Sequence, residues 1–87
     1  MSEEKRLGIV GVVVEDLTQA EAVNEVIHDF SGLIVARMGI PYRERGVSVI
    51  SLLVDGGQDQ INALTGRLGR IPDVYAKSML QRMKEQA

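Results

Sequence analysis

The central stretch of the chain, Gly32–Asp55, reads GLIVARMGIPYRERGVSVISLLVD. It contains two runs rich in β-branched and large aliphatic residues, Leu33–Ile40 and Val47–Val54, and each is about as long as a full strand. Between them, Pro41 favours an extended conformation in the residue before it, and Gly46 can adopt the positive φ that a short hairpin loop usually needs. The stretch therefore predicts an antiparallel β-hairpin whose tip lies between Pro41 and Gly46.

The flanking segments predict a strand, two helices and a last strand. Leu7–Glu15 contains four valines and an isoleucine, which favour a strand over an isolated helix. Thr18 with Glu21 forms a capping-box pattern, so a helix should begin at Thr18 and end at Ser31-Gly32. Apolar residues at helical spacing predict a second helix over Gln58–Leu68, and the short Val74–Leu80 segment predicts an edge strand.

The predicted order is strand, helix, strand, strand, helix, strand. This order defines a ferredoxin-like βαββαβ domain of the α+β class. Right-handed crossovers place both helices on one face of a four-stranded antiparallel sheet. We expect a single domain over residues 1–87, with a core at 6–80 and a polar tail at 81–87.

Apolar residues occupy both alternating faces of the predicted strands. In the first strand Leu7, Ile9 and Val13 oppose Val10, Val12 and Val14; in the second Leu33 and Val35 oppose Ile34, Ala36, Met38 and Ile40; in the third Val47, Val49 and Leu53 oppose Ile50, Leu52 and Val54. Two short helices can cover one face, which leaves an apolar patch of several hundred Å², at the upper range that monomers tolerate. At roughly 25 cal/mol per Å², its burial would contribute on the order of 10 kcal/mol before association costs. We predict a homodimer or homotetramer packed sheet to sheet; the alternative is that another element, such as the tail, covers the face.

Composition excludes several classes of function. With 10 basic and 12 acidic residues the net charge is −2, so no global basic field is present to bind nucleic acid directly. The absence of cysteine excludes disulfides and thiolate metal sites, and it fits a cytoplasmic protein. No apolar run approaches the roughly 20 residues of a membrane span, so no membrane association is expected.

Two motifs carry a family resemblance. RMGIPYRERGVSVISLLVDG begins at Arg37, and ALTGRLGRIPDV spans Ala63–Val74. From about Arg6 to Leu80 the chain resembles the small family of iron-only hydrogenase system regulators. The resemblance implies an ACT-like ferredoxin fold, similar to the C-terminal sensing domain of NikR-type nickel-responsive repressors, which assemble as tetramers.

The chain departs from NikR-type repressors in two ways. Their nickel sites need several histidines and a cysteine, whereas this chain has His28 alone and no cysteine, so we expect neither a metal site nor a cofactor. The ribbon-helix-helix segment that binds DNA in those repressors is also missing from this sequence. A role in transcription would therefore need a separate DNA-binding or maturation protein as partner.

The hairpin supplies the first candidate site for a ligand or an interface. Its candidate residues are Arg37, Met38, Tyr42, Arg43 and Arg45. Guanidinium groups bind carboxylates or phosphates through two parallel hydrogen bonds, so this group could hold an anion. The alternative for Arg43 and Arg45 is a solvated turn or ion pairs with Glu44 across subunits. Arg37 lies within a strand, where an unpaired charge is costly, so it should have a partner.

The first strand-to-helix loop supplies the second candidate site, with Glu15 and Asp16. The resemblance implies a small ligand here, because ACT-like domains usually bind ligands at subunit interfaces near this loop. The alternative is structural, since carboxylates at such positions commonly cap helices or end strands.

These observations predict a non-enzymatic, oligomeric regulatory or sensor module, linked by the resemblance to the iron-only hydrogenase system. It would act by binding a small-molecule effector or a partner at subunit interfaces. A purely structural oligomerisation module without a ligand is the alternative. A small hydrolase or isomerase is motivated only by surface carboxylates, and no catalytic residue is assigned because neither Ser48 nor Ser51 lies in a nucleophile-elbow motif.

Overall fold

The computed structural model describes residues 4–82 and contains four strands and two α-helices within that range. The strands are β1 (Lys5–Val14), β2 (Ile34–Tyr42), β3 (Val47–Gly57) and β4 (Val74–Leu80), and the helices are α1 (Ala20–Asp29) and α2 (Gln58–Gly69). Short 3₁₀ turns at Leu17–Gln19, Ser31–Leu33 and Arg43–Arg45 join some of them. No helix in this range is long and apolar enough to cross a membrane. Most of the predicted tail, 83–87, lies outside the described residues.

The sheet has the order β2-β3-β1-β4, and each neighbouring pair is antiparallel. β1 lies inside the sheet and pairs over its whole length with β3, from Lys5 opposite Gly57 to Val14 opposite Ser48. β2 and β4 form the two edges. This topology is the predicted ferredoxin-like βαββαβ arrangement, and the prediction of the fold class is confirmed.

The hydrophobic core lies between the sheet and both helices. Buried residues of β1 and β3 share one alternating face, and α1 and α2 each place three side chains against that face. These residues are Val10, Val12, Val14, Ile50, Leu52 and Val54 of the strands and Val23, Val26, Ile27, Ile61, Leu64 and Leu68 of the helices. An ion pair at 2.9 Å between Arg67 and Asp29 links the two helices on the outside. Both helices therefore cover the same side of the sheet, and no helix or strand within residues 4–82 covers the opposite side.

The start and end of α1 differ from the sequence prediction. Asp16 caps this segment, because its Oδ1 accepts hydrogen bonds from the backbone amide (2.9 Å) and the hydroxyl (2.6 Å) of Thr18. Thr18 is thereby engaged as a donor inside a 3₁₀ turn, and the predicted capping box does not form. At the other end, α1 stops at Asp29 and runs into the next 3₁₀ turn, where Gly32 does not adopt a positive φ.

A register shift between Ile34 and Ala36 changes the alternation of β2. Ile34 lies opposite Val54 on the helix side, whereas Ala36 lies opposite Leu53 on the other side. The predicted grouping of Ile34 with Ala36, Met38 and Ile40 is therefore wrong at Ile34. The bulge adds one residue to β2 and so reverses the alternation after Ile34, and nothing in the composition of the strand indicates it.

Candidate functional site

The sheet presents a large apolar surface on the side away from the helices, here called the open face. It carries large hydrophobic side chains that are each between 39% and 67% exposed. They are Leu7, Ile9, Met38, Ile40, Tyr42, Val49, Leu53, Tyr75 and Met79. The exposed apolar side chains alternate with buried ones along β1 and β3, as expected when one side of a sheet meets the core and the other meets solvent.

Strand register orders the open face into rows. One row is Tyr75, Val13, Val49 and Ile40, and a second is Met79, Ile9, Leu53 and Ala36. Between these apolar ridges lies a row of Lys77, Gly11, Ser51 and Met38. Its two central positions, Gly11 and Ser51, have small side chains or none, and a Cβ built at Gly11 would meet nothing within 4 Å. The middle of the face is therefore a shallow furrow between two ridges.

The edge strand β2 is exposed on both of its faces. Every residue from Val35 to Tyr42 is exposed, although β2 forms a full ladder with β3. The buried side chains of α1 belong to the core cluster with those of β1 and β3, and Ile34 is the only described residue of β2 that packs against this cluster. An elongated depression, here called the α1–β2 groove, lies between α1 and the rest of β2.

The α1–β2 groove consists of two hollows of about 350 and 300 Å³. Asn24 of α1 and Arg37 of β2 line both hollows. The guanidinium Nη2 of Arg37 donates a hydrogen bond of 3.1 Å to Oδ1 of Asn24. This contact bridges the groove and separates a first hollow, which reaches His28, from a second that reaches Pro41.

The structure divides the predicted hairpin cluster between separate surfaces. Arg37 lies on the helix side, whereas Met38 and Tyr42 lie on the open face, because neighbouring residues of a strand point in opposite directions. Arg43 and Arg45 belong to the 3₁₀ turn at the hairpin tip and line neither groove hollow. No ion pair within residues 4–82 joins Glu44 to either arginine. The hydroxyl of Tyr42 instead donates to Glu44 at 3.4 Å.

The predicted site in the loop between β1 and α1, Glu15 and Asp16, makes hydrogen bonds that hold the loop in place. Two hydrogen bonds donated by Thr18 keep the pKa of Asp16 below its usual value. The bond from the hydroxyl has the larger effect and the bond from the backbone amide the smaller one. The backbone amide of Glu15 donates to the carbonyl of Asp73 at 2.8 Å, which fixes the end of β1. Neither carboxylate lines the groove, which favours the capping alternative for this pair. A ligand role for these residues remains a prediction.

Asn24 and the groove itself were not predicted from the sequence. Asn24 and Arg37 are 13 positions apart and lie on different elements, so no local motif connects them. The only available signal was the position of Arg37 inside a strand, which indicated that a partner was needed. In the described part of the chain, no group of three or more His, Asp or Glu residues could hold a metal ion.

Solved structures share this ferredoxin-like α+β fold across distant sequences. A "putative PII-like signaling protein" from Thermus thermophilus aligns with a TM-score of 0.59 and 13% identity, over 90% of this chain and 91% of that one. A nitrogen regulatory PII-like protein from Thiomonas intermedia, solved with ADP, AMP and bicarbonate, aligns with a TM-score of 0.50 and 8% identity, over 88% and 96%. At such identities the likeness shows the fold alone.

The chain is much more similar, in both sequence and structure, to a protein of one family. The uncharacterised protein TM1266 from Thermotoga maritima is 41% identical, with a TM-score of 0.85 over 91% of this chain and 100% of that one. Residues 6–78 match the family model described as "TM1266-like: Iron-only hydrogenase system regulator, putative". The chain therefore belongs to the TM1266-like family, and the resemblance seen in its motifs is confirmed. A search of curated proteins finds no match. The expected similarity to NikR-type repressors remains a prediction.

Proposed function

We propose that this protein is a non-enzymatic regulatory module that self-associates through its open face and responds to a small effector or a protein partner. Family membership supports the regulatory role. The open face carries the proposal, because nine large hydrophobic side chains are exposed on one side of a small domain. Monomeric proteins rarely expose contiguous apolar surface on this scale.

A second copy of the chain is the occupant that best fits the open face. Ridges on either side of a furrow form a shape that a two-fold related copy can complement, with a ridge of one sheet set into the furrow of the other. Sheets that pack face to face in this way bury alternate side chains in a layer about 10 Å thick. A homodimer built on this face, or a homotetramer with a further contact, would supply a core layer that residues 4–82 of one chain do not provide.

The groove chemistry favours a binding role over catalysis. No Asp or Glu of the described residues lines either groove hollow, so His28, which lines the first hollow, has no carboxylate beside it in the lining. General acid and base catalysis needs titratable groups within hydrogen-bond reach of a substrate, and carboxylate pairs are a common form of such sites. An effector that preferred one arrangement of subunits would shift the population toward it, and a separate DNA-binding or maturation protein of the hydrogenase system would respond to that shift.

Size-exclusion chromatography with light scattering tests the proposed assembly. We expect wild-type protein to elute with a mass above the 9.5 kDa of one chain. Val49→Lys places a charge in a ridge of the open face at a position 41% exposed in the protomer, so it should leave the fold intact and yield monomers. Asn62→Lys introduces the same side chain on the outer surface of α2 and should assemble like wild type. A wild-type protein that remains monomeric would refute the assembly.

A thermal-shift screen tests the proposed response to small molecules. ADP, AMP and bicarbonate are reasonable probes because a PII-like protein of the same fold was solved with them, and amino acids and organic acids extend the set. We expect at least one class to raise the melting temperature of wild-type protein, because a ligand that binds only the folded state stabilises it. Stable assembly without stabilisation by any compound would favour the purely structural alternative.

A further inference from the structure

The α1–β2 groove has a position that assembly would leave open. It lies on the helix side of the sheet, whereas the residues proposed to self-associate lie on the opposite side. Packing of two open faces would therefore not cover Asn24 or Arg37. A ligand bound in this groove would be accessible in both the monomer and the assembled protein.

Hydrogen-bond donors converge at the centre of the groove. Arg37 carries five N–H donors and one of its nitrogens contacts Asn24, so further donors of its guanidinium remain available. The contact also orients the side chain of Asn24, because its oxygen accepts from Arg37 and its amide hydrogens are left to donate elsewhere. Ser31 lines the first hollow and Ser48 lines the second. Because no carboxylate of the described residues lines either hollow, the centre of the groove is suited to an anion.

The second hollow has an apolar wall next to Asn24 and Arg37. Its lining includes Val14, Val23 and Ile50, all buried side chains whose edges reach the hollow, and the exposed Leu17 at its rim. On the β2 side, Gly39 and Pro41 keep the floor free of long side chains. At about 300 Å³ this hollow lies at the lower end of the roughly 300–1,000 Å³ range of small-molecule sites. It would admit a compact apolar group.

We propose that the α1–β2 groove binds a small monocarboxylate, with the carboxylate held by Arg37 and Asn24 and a compact apolar body in the second hollow. The inference rests on the proposed regulatory function and names the chemical class of its effector. Arg37 is the one permanently charged residue among the described lining residues, so it balances a single negative charge. The several charges of a nucleotide polyphosphate would remain uncompensated, because Arg43 and Arg45 lie outside the groove.

The test is a titration of ¹⁵N-labelled protein, followed by amide chemical shifts. Phenylacetate is the probe, phenylacetamide is a neutral compound of the same shape, and inorganic phosphate is an anion without an apolar body. We expect saturable shifts at Asn24 and Gly39 with phenylacetate, and binding at least about tenfold weaker for phenylacetamide and phosphate, since the site needs both charge and apolar contact.

Two variants test whether phenylacetate binds in the α1–β2 groove. Arg37→Gln should weaken phenylacetate binding about tenfold or more, because it removes the charge and leaves a shorter, neutral polar side chain. Arg43→Gln makes the same change at the hairpin tip and should bind like wild type. Equal binding by phenylacetamide or phosphate, an unaffected Arg37→Gln, or shifts confined to other surfaces would each overturn the proposal.

The same samples separate this inference from the proposed assembly. Val49→Lys should bind phenylacetate as wild type does, because the substitution is on the other side of the sheet. Binding that persists in a protein found to be monomeric would reject the assembly and keep the groove. Assembly without binding would reject the groove alone.

Discussion

At the scale of single residues, two glycines of β1 show how differently the sides of the sheet are packed. A Cβ at Gly8 would lie 2.6 Å from Cδ2 of Leu80 and 2.8 Å from the carbonyl oxygen of Met79. We predict that Gly8→Ala lowers the free energy of unfolding by about 1–3 kcal/mol, because the contact with backbone can be relieved only by moving β4 away from β1. Equilibrium unfolding in urea measures this change.

Gly11→Ala is the matched control for that measurement. The position lies three residues further along the same strand, and a Cβ there meets nothing within 4 Å. With both substitutions made in the Val49→Lys background, where no second copy is expected to fill the furrow, Gly11→Ala should leave stability unchanged or raise it slightly, because alanine loses less conformational freedom on folding than glycine. Equal destabilisation by both substitutions would contradict the close approach of β4 at Gly8.

Asp16 gives the protein a predictable response to acid. Its hydrogen bonds with Thr18 lower the pKa of the folded state below that of the unfolded chain, so the charged form stabilises the fold. This contribution is complete above the usual pKa of an aspartate and is lost as pH falls through the lowered value. Asp16→Asn keeps an acceptor and removes the charge.

We therefore expect Asp16→Asn to melt at a lower temperature than wild type near neutral pH. The difference should shrink as pH falls through the acidic range in which the carboxylate of the wild type becomes protonated. Thermal unfolding followed by circular dichroism across that range measures it. A difference that did not depend on pH would show that the charge of Asp16 makes no contribution.

At the scale of elements, the hairpin tip depends on one backbone conformation. Gly46 adopts the left-handed conformation, with φ = 67°, and ends the 3₁₀ turn Arg43–Arg45 before β3. Gly46→Ala should cost about 1 kcal/mol in unfolding free energy, because an L side chain is strained at that φ. Gly69→Ala, at the end of α2 where a Cβ meets open space, should instead stabilise the protein. Chemical denaturation of both variants tests the contrast.

The elements that the sequence predicted well are those with strong local signals. Val74–Leu80 is the last strand as predicted, and α2 differs from its prediction by one residue, because glycines and a proline flank these segments. The hairpin was predicted for the same reason, with Gly46 in the expected conformation. Its first strand starts one residue later than predicted and includes Pro41 and Tyr42, which were predicted to lie in the tip. The start of α1 was missed because Asp16 and Thr18 both have capping side chains, and the sequence does not say which of them accepts.

The site could be predicted only in part, because it depends on how the elements are placed relative to one another. Alternation along β2 would have put Arg37 on the same side as Val35 and opposite Ile34, but the bulge before Ala36 sets which side of the sheet Arg37 occupies. The groove lies between α1 and β2, where Ile34 is the only described residue of β2 that packs against the core cluster. No periodicity within α1 or β2 specifies how far apart these two elements lie, so neither Asn24 nor the groove could be predicted from the sequence.

At the scale of the whole molecule, the second apolar face was visible in the sequence because it follows from alternation alone. Leu7 and Ile9 share one alternating set of the first predicted strand, Val49 and Leu53 share one of the third, and the structure leaves all four exposed. The arrangement of subunits could not be predicted from the sequence, since it depends on which surface of a second copy meets this face and at what angle.

Self-association should make stability depend on protein concentration. If folded protomers assemble, the apparent melting temperature of the wild type will rise over about a hundredfold increase in concentration, by mass action. Val49→Lys should melt at the same temperature throughout, and below the wild type at high concentration. Differential scanning fluorimetry at several concentrations measures both. A wild-type melting temperature that is independent of concentration would contradict the assembly.

The position of β1 inside the sheet also affects how the chain folds during its synthesis. β1 is synthesised before both of its partners, β3 and β4. Its valines therefore leave the ribosome with no strand to pair with, while the β2–β3 hairpin can form locally. Since synthesis proceeds at roughly 5–20 residues per second, β1 remains unpaired for seconds, and chaperones that hold nascent apolar segments would have time to act on it.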